Sequence, residues 1–286
     1  MSTAKITLLC SVRGCGEPLA PSGRALACPR GHGFDLARSG YLNLLQPQDR
    51  RSRAPGDSRD AALARRRLFA AGHLAPLLTA LVETVADLAL LPRPAILDVG
   101  CGEGTILATL GRGLPGAELH GVDISAPAID LAARAYPQAT WIVANADRAL
   151  PYGDGGFDLA LSITSRQRPR ELRRLLAPGG ALLVAVPGAD DLRELREILA
   201  SPAPDPERRA RRLLARWEKT AATFAPELAL AAHLGVRWTV ALDAGGIEDL
   251  LASTYRGARH AERRRLAGVE RLAVTMSRDL LTLRPA

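Results

Sequence analysis

Four residues near the start of the chain have side chains that bind transition metals. They are Cys10, Cys15, Cys28 and His32, spaced C-x4-C-x12-C-x3-H in a segment rich in glycine and proline. Three thiolates and one imidazole form a tetrahedral zinc site, and zinc ligation supplies folding energy to a segment too short to bury its own core. The pattern predicts a zinc-binding module over residues 1–38, the alternative being three buried free cysteines.

A glycine-rich turn is the second chemical signal. The segment LDVGCGEGT, residues 97–105, reads as a buried strand that runs into Gly100, Gly102 and Gly104. Glycines at the carboxyl end of a strand let the backbone approach a ligand closely. Asp123 ends the next predicted strand, where a carboxylate accepts the hydroxyl protons of a ribose. Together these residues predict a site for an adenosine-containing cofactor.

The spacing of the glycines bears on whether that cofactor is NAD or S-adenosylmethionine. A dinucleotide fingerprint is G-x-G-x-x-G, whereas this chain has G-x-G-x-G with Thr105 where the last glycine would fall. A second acid, Asp147, follows the third predicted strand, and Phe157-Asp158 opens the fourth. The glycine spacing disfavours NAD.

The elements that position these residues follow from hydrophobic periodicity. Two helices are predicted over 61–71 and 73–90, and from Pro94 onward short apolar runs alternate with helical segments. Such alternation predicts an α/β protein with a mostly parallel sheet covered on both faces. The predicted strands are 95–100, 118–124, 140–145, 157–163, 181–187, 236–242 and 271–283, with helices near 104–112, 126–135, 169–177, 190–200, 206–222, 245–254 and 259–268.

The order of the motifs resembles the class I S-adenosylmethionine-dependent methyltransferases. In that family a glycine loop, a ribose-binding acid, an adenine-side acid and a strand opening with Phe-Asp follow one another, as the motifs above do here. The resemblance implies a Rossmann-like sheet, a methyltransferase domain over 91–286, and Asp147 beside the adenine amino group. A generic doubly wound domain is the alternative.

The N-terminal half sharpens this resemblance. The segments CPRGHGFDLARSGYLNLL (28–45), RSRAPGDS (51–58) and ARRRLFAAGHLAPL (64–77) are similar to the bacterial large-subunit rRNA (guanine-N1)-methyltransferases. The resemblance implies the zinc module, S-adenosylmethionine and Zn²⁺ as cofactors, and methylation of a guanine in a 23S rRNA hairpin near the peptide exit tunnel. Some members of that family confer macrolide resistance.

Site residues follow from the motifs and the resemblance together. The cofactor-binding set is Leu74, Asp98, Gly100, Gly102, Glu103, Asp123, Asp147 and Asp191. Three features depart from the family's usual pattern: the wide spacing of Cys10 and Cys15, SITSR (162–166), and STYRGA (253–258). The last two segments are expected to face the target base, which makes Ser165, Arg166 and Tyr255 candidates for target contacts and leaves the general base open.

Arginine dominates the positive charge of the chain. Lys+Arg number 38 against 30 Asp+Glu, a net charge of +8, and only Lys5 and Lys219 are lysines. Guanidinium groups match phosphate oxygens, although a GC-rich genome gives the same bias. A basic arm with Arg50, Arg51 and Arg53, within a linking region over 39–90, and the arginines of 166–174 favour an RNA substrate. A small-molecule or natural-product methyltransferase is the runner-up, and an inactive RNA-binding protein is a third reading.

Two classes of protein are disfavoured. No stretch approaches the ~18 uninterrupted apolar residues of a membrane span, and MSTAKITLLC lacks the pattern of a signal peptide. The chain is therefore expected to be cytoplasmic and without membrane association, and a homodimer stays open as its state of assembly.

Overall fold

The chain has one large sheet, preceded by a small antiparallel one. The computed structural model describes residues 6–50, 55–165, 168–199, 216–254, 266 and 268–285. The small sheet contains β1 (Ala20–Ser22), β2 (Ala25–Ala27) and β3 (Gly33–Asp35), in that order. Both of its pairings are antiparallel, so it consists of two successive hairpins.

The large sheet has eight described strands. They are β4 (Leu42–Asn43), β5 (Ala95–Val99), β6 (Glu118–Asp123), β7 (Thr140–Val143), β8 (Phe157–Ile163), β9 (Leu176–Pro187), β10 (Leu228–Asp243) and β11 (Arg271–Pro285). Their order is β10-β11-β9-β8-β5-β6-β7-β4. The pairs from β4 to β9 are parallel, whereas β11 pairs antiparallel with both β9 and β10. The predicted α/β class with a mostly parallel sheet is confirmed.

Helices fill the connections between these strands. They are α1 (Arg59–Ala70), α2 (Ala75–Asp87), α3 (Thr105–Gly113), α4 (Ala126–Ala135), α5 (Pro169–Leu175), α6 (Arg193–Leu199), α7 (Arg216–Phe224) and α8 (Ala244–Ala252), with a 3-10 turn at Pro47–Asp49. Ser58 is the N-cap of α1, and its hydroxyl accepts the N–H of Ala61 at 3.2 Å. That capping bond fixes where the helix starts.

The small N-terminal sheet is packed onto the large one. Cys10, Cys28 and Phe34 belong to the same apolar cluster as Leu97 and Phe157 of the central strands. The N–H of Leu9 also donates to the carbonyl of Pro151 at 2.9 Å. The metal-binding segment is therefore held against the main domain by burial as well as by backbone hydrogen bonds.

The three short strands of the small sheet were not predicted, and three strands of the large sheet differ from the predicted pattern. β4 was not predicted, β9 begins at Leu176 rather than 181, and β10 spans sixteen residues rather than 236–242. The first half of β10 is exposed but pairs with β11, and pairing with a distant strand is invisible in local periodicity. Residues 206–215 and most of 259–268, both predicted as helix, lie outside the described residues.

Over the residues that the structure describes, no single helix is long and apolar enough to cross a membrane. α1 and α2 pass a test of length and composition only as a pair, which is bent by 81°.

Candidate cofactor cleft and zinc centre

The four predicted metal ligands lie together. Their ligand atoms all fall within 4.8 Å of one another. Nδ1 of His32 is 3.4 Å from the Sγ atoms of Cys10 and Cys28, and Sγ of Cys15 is 3.8 Å from that of Cys28. Zinc bonds of about 2.0–2.3 Å in a tetrahedron put ligand atoms roughly 3.5–3.8 Å apart. The cluster therefore fits zinc, and Cys10 belongs to it despite its wide spacing from Cys15.

The backbone around the ligands forms two tight turns. The N–H of Cys28 donates to the carbonyl of His32 at 3.0 Å, and Gly31 returns a bond to Cys28 at 2.9 Å. In the first turn, the N–H of Cys10 donates to Glu17 at 2.8 Å. Gly31 has a φ of +83°, a conformation that favours glycine. These turns hold the ligand pairs at metal-binding distance.

A cleft of about 1360 Å³ opens at the carboxyl ends of β5 to β9. This is the edge at which parallel α/β sheets bind ligands. Its lining includes Leu74, Asp98, Gly100, Glu103, Asp123, Asp147 and Asp191, which are all of the predicted cofactor residues except Gly102. The fold therefore brings into one site residues that are separated by up to more than a hundred positions in the sequence, from Leu74 to Asp191.

The glycine loop has a backbone that other residues would strain. Gly100, Gly102 and Gly104 have φ values of +79°, +56° and +84°. A Cβ on Gly100 would lie 2.4 Å from Cβ of Ser165, and one on Gly104 would lie 2.5 Å from the ring of Trp141. Conformation and close packing both require glycine at these two positions.

Asp123 closes the loop from the end of β6. Its Oδ2 accepts the N–H of Gly102 at 3.0 Å, and its Oδ1 accepts the N–H of Ser125 at 2.8 Å. Burial raises the pKa of this carboxyl, although the two backbone N–H groups oppose the shift. A carboxylate has about four lone-pair sites, so both oxygens can still accept further protons from a ligand.

Two more acids under the loop have unpaired oxygens. Asp98 and Glu103 are each 2% exposed, and Oδ1 of Asp98 and Oε1 of Glu103 have no hydrogen-bond partner. Burial, with the nearby charges of Asp123 and Glu103, raises the pKa of Asp98 to about 8. Buried carboxylate oxygens without donors fit a cationic ligand. S-adenosylmethionine has an ammonium and a sulfonium group, so the donor set fits the predicted cofactor.

Arg65 is a site residue that the sequence did not single out. Its guanidinium donates to Oδ2 of Asp57 at 2.5 Å, and its Nη1 lies 2.8 Å from where a Cβ on Gly102 would be. Burial lowers its pKa, but the charges of Asp57, Glu103 and Asp123 outweigh that effect and raise it. The sequence signal was present in the arginine run of α1, but the run does not say which arginine faces the cleft.

The other arginines of α1 are engaged elsewhere in the chain. Arg66 donates to the carbonyls of Glu103 and Leu131, and Arg67 donates to both carboxylate oxygens of Asp249. The second arginine cluster is also partly engaged. Arg174 bonds Glu171 and Asp154, and Arg170 bonds Glu227. Several arginines in the runs that the sequence assigns to RNA therefore have partners within the chain.

Asp147 and Asp191 are positioned by neighbours that the sequence did not reveal. The side-chain carbonyl of Asn145 accepts the N–H of Asp147 at 2.9 Å, and its amide donates to the carbonyl of Asp49 at 2.8 Å. Oδ1 of Asp191 accepts the N–H of Ser277 at 3.0 Å and pairs with Arg278. Both acids lie in the wall of the cleft.

The predicted target-facing segment begins with an unusual backbone. Thr164 has a φ of +54°, rare for a β-branched residue. Oγ of Ser165 donates to the carbonyl of Val99 at 2.5 Å and lies 3.0 Å from Oγ of Ser162. Ser165 thus lines the cleft but uses its hydroxyl to join β8 to the glycine loop.

Four of the predicted contact residues fall in parts of the chain that the structure does not describe. Arg166 and Tyr255, two of the target-facing candidates, lie outside the described residues, as do Arg51 and Arg53 of the arm. Arg50 is described and exposed, directly after the 3-10 turn at Pro47–Asp49.

Comparison with known proteins assigns both parts of this architecture. Residues 96–180 match a family model described as "Methyltransferase domain", and residues 9–53 match a zinc-ribbon model described as "RlmA, N-terminal". A putative 23S rRNA (guanine-N(1)-)-methyltransferase of Bacillus subtilis is 35% identical, over 82% of this chain and 81% of its own length. The chain belongs to the 23S rRNA (guanine-N1)-methyltransferase family.

Other relatives agree with this assignment. A putative 23S rRNA (guanine-N(1)-)-methyltransferase of Micromonospora griseorubida is 37% identical over 69% of this chain and 72% of its own length. The 23S rRNA (guanine(748)-N(1))-methyltransferase of Streptomyces fradiae is 41% identical, and the match spans 65% of each protein. The solved structure of the YcgJ protein from Bacillus subtilis shares the fold, with a TM-score of 0.50, 16% identity, and coverage of 73% of this chain and 97% of that one. S-adenosylmethionine and zinc are the cofactors of this methyltransferase.

Proposed function

We propose that this methyltransferase transfers a methyl group to N1 of a guanine in a hairpin of 23S rRNA. The observation that carries the proposal is the presence, in one chain, of a matched zinc ribbon and a matched methyltransferase domain. Relatives with 35–41% identity are named for this reaction. A natural-product methyltransferase would account for the cleft but not for the zinc ribbon.

The proposed roles of the cofactor residues follow from their places in the cleft. Asp123, at the end of β6, accepts from the ribose, and Asp147, after β7, faces the adenine. The unpaired oxygens of Asp98 and Glu103 take the cationic groups. Gly100 and Gly102 leave room for the cofactor, and Leu74 and Asp191 contact it from the wall of the cleft. In the separate zinc site the metal ligands are Cys10, Cys15, Cys28 and His32.

The chemistry makes modest demands on the protein. S-adenosylmethionine supplies an electrophilic methyl group, and the protein must hold the nucleophilic nitrogen in line with it. Guanine N1 also has to lose its proton. Within the described end of β8, Ser162, Thr164 and Ser165 offer hydroxyl groups but no carboxylate or imidazole. We therefore assign this segment to orientation of the base, with Ser165 a positioning residue and the proton leaving to water or to a base not yet placed.

RNA binding outside the cleft is the second part of the proposal. Arg50, Arg51 and Arg53 lie at the C-terminal end of the matched zinc-ribbon segment and well before the glycine loop in sequence. Phosphate contacts supply most of the affinity for RNA and weaken with salt. Replacing two of these arginines by Glu should raise the KM for RNA and flatten the dependence of RNA affinity on salt. Affinity for S-adenosylmethionine should not change.

The experiment needs a matched control. Arg112 is an exposed arginine in α3, and Arg112→Glu changes the net charge by the same amount per residue. RNA affinity should be little affected in that variant. An equal loss in both variants would mean that the arm has only a general effect of net charge.

A direct assay tests the reaction itself. A transcript of the 23S rRNA hairpin is incubated with the protein and S-adenosylmethionine, digested to nucleosides and analysed by mass spectrometry. We expect 1-methylguanosine with the wild-type protein and none without it. The same proposal places the enzyme in the cytoplasm and predicts a changed macrolide sensitivity when it is expressed. A homodimer is likewise a proposal, and light scattering tests it.

A further inference from the structure

The cleft is larger than one cofactor requires. Pockets for single small ligands are typically about 300–1,000 Å³, whereas this one is about 1360 Å³. The helix α7 forms part of its wall through Arg216, Lys219, Thr220 and Thr223. Residues three apart on a helix lie on the same side, so Arg216 and Lys219 present two positive charges to the cleft together.

These two cations differ from the other basic residues of the cleft, which already have partners. Arg65 pairs with Asp57 and Arg278 pairs with Asp191. Arg196 donates to the carbonyl oxygens of Ala189 and Leu192. Arg216 and Lys219, by contrast, form no side-chain hydrogen bond or ion pair with any other residue in the described part of the chain. Among the residues that the structure describes, nothing compensates these two charges, which face the cleft.

The identity of Lys219 adds to this contrast. It is one of two lysines in a chain with 36 arginines. A lysine ammonium binds a phosphate as a flexible point charge, and Arg216 adds a planar guanidinium that matches phosphate oxygens. Asp57 and Asp191 are paired with Arg65 and Arg278, but Glu103, Asp123 and Asp147 add negative charge to the lining of the cleft, which opposes the entry of phosphate groups. An RNA strand therefore needs positive charge in the wall in order to enter.

We propose that α7 is a phosphate clamp, in which Arg216 and Lys219 bind the backbone phosphates next to the guanine that is methylated. This inference rests on the proposed function. Because N1 is on the Watson–Crick edge, the base must leave any pair or stack to be methylated, and its flanking phosphates move with it. The clamp offsets the loss of stacking by neutralising those phosphates at the cleft wall.

Neutral phosphate analogues test the clamp directly. Two hairpins are prepared, one with methylphosphonate linkages on both sides of the target guanine and one with the same linkages in the opposite strand of the stem. RNA affinity is then measured for the wild-type protein, Lys219→Gln and Arg216→Gln. Glu218→Gln serves as the control, since Glu218 lies between the two cations and is exposed. Thermal melting confirms that each variant is folded.

We expect the effects of the protein substitutions and of the neutral linkages on RNA affinity to be non-additive only when the linkages are beside the target guanine. Wild-type protein should lose on the order of tenfold in affinity when the linkages beside the guanine are neutral, as for one charge-assisted bond. Lys219→Gln and Arg216→Gln should show that loss on the natural hairpin and little further loss on the neutral one. Neutral linkages in the stem should cost all variants equally, and Glu218→Gln should behave as wild type.

Three outcomes would overturn the proposal, and they are distinguishable. If Lys219→Gln and Arg216→Gln lost equal RNA affinity on the hairpin neutralised beside the guanine and on the one neutralised in the stem, α7 would contribute only general positive charge. Unchanged RNA affinity with a weaker affinity for S-adenosylmethionine would assign the two cations to the cofactor carboxylate. If the wild-type protein forms no 1-methylguanosine in the natural hairpin, the proposed function has failed, and the clamp fails with it.

Discussion

Replacing Asp123 should weaken cofactor binding and destabilise the glycine loop together. Its two oxygens accept the N–H groups of Gly102 and Ser125 at 3.0 and 2.8 Å. Asp123→Ala leaves both donors without an acceptor, and each such loss costs about 1–3 kcal/mol of folding free energy. Loss of a charged hydrogen bond to the ribose should cost the cofactor a further ~1.5–3 kcal/mol, or about 10–150-fold in affinity.

Calorimetry with two ligands separates the direct contact from collapse of the loop. The ligands are S-adenosylhomocysteine and its 2′-deoxy analogue. Wild-type protein should bind the deoxy ligand more weakly, and Asp123→Ala should bind the two alike because the acceptor is gone. Asp130→Ala is a matched control, since Asp130 is an acid of α4 that pairs with Arg134. Equal discrimination by wild type and Asp123→Ala would refute the placement of the ribose.

Four further predictions follow from the site. Asp98, with a pKa raised from 3.8 to about 8, is largely protonated at pH 7. Binding of a cationic cofactor should therefore release close to one proton in wild type and none in Asp98→Asn, measured by calorimetry in buffers of different ionisation enthalpy. Equal proton release in both proteins would contradict this. Since the folded state holds that proton more tightly, the free energy of unfolding should fall as pH rises from about 4 to about 8, and the fall should be smaller in Asp98→Asn. Metal analysis should find about one zinc ion per chain in wild type but none in Cys28→Ser or His32→Ala. Cys101→Ser is the control and should keep its zinc, since Cys101 is a free cysteine outside the cluster. Normal zinc in both Cys28→Ser and His32→Ala would exclude the assignment of these residues as zinc ligands. Gly179 has a φ of +76° and open space around it, so Gly179→Ala should lower the free energy of unfolding in urea by about 1–2 kcal/mol. Gly104→Ala should lower it by about 1–3 kcal/mol more, because the new Cβ meets Trp141. Equal losses in the two variants would mean that the close contact with Trp141 does not matter.

Most of the large sheet could be predicted from the sequence because its central strands are buried on both faces. All five residues of β5 and all seven of β8 are buried, which gives near-continuous apolar runs, interrupted by Asp98 in β5 and by Asp158 and Ser162 in β8, with turns at their ends. β4 has only two residues, too few to show a period, and the start of β10 is exposed on both faces. Those strands exist because a neighbouring strand supplies hydrogen bonds, and no local pattern reports that.

The site divides in the same way between local and tertiary information. The zinc ligands and the glycine loop are local motifs whose residue types state their chemistry. Arg65 looks identical in sequence to Arg66 and Arg67, and only the packing of α1 shows that Arg65 alone of the three lines the cleft. The charge of Arg174 was likewise assigned to RNA, although its partners Glu171 and Asp154 lie within the chain. A run of charges gives a local net charge but not the direction of each side chain.

The most direct test of the central claim is nucleoside mass spectrometry of ribosomal RNA from a strain that lacks the gene. The hairpin fragments of 23S rRNA are compared between that strain, its parent and the strain complemented with wild-type protein. We expect one 1-methylguanosine to be missing from 23S rRNA in the deletion strain and restored by complementation. An unchanged set of ribosomal methyl groups, with a small metabolite losing its methyl group instead, would contradict the assignment of the substrate.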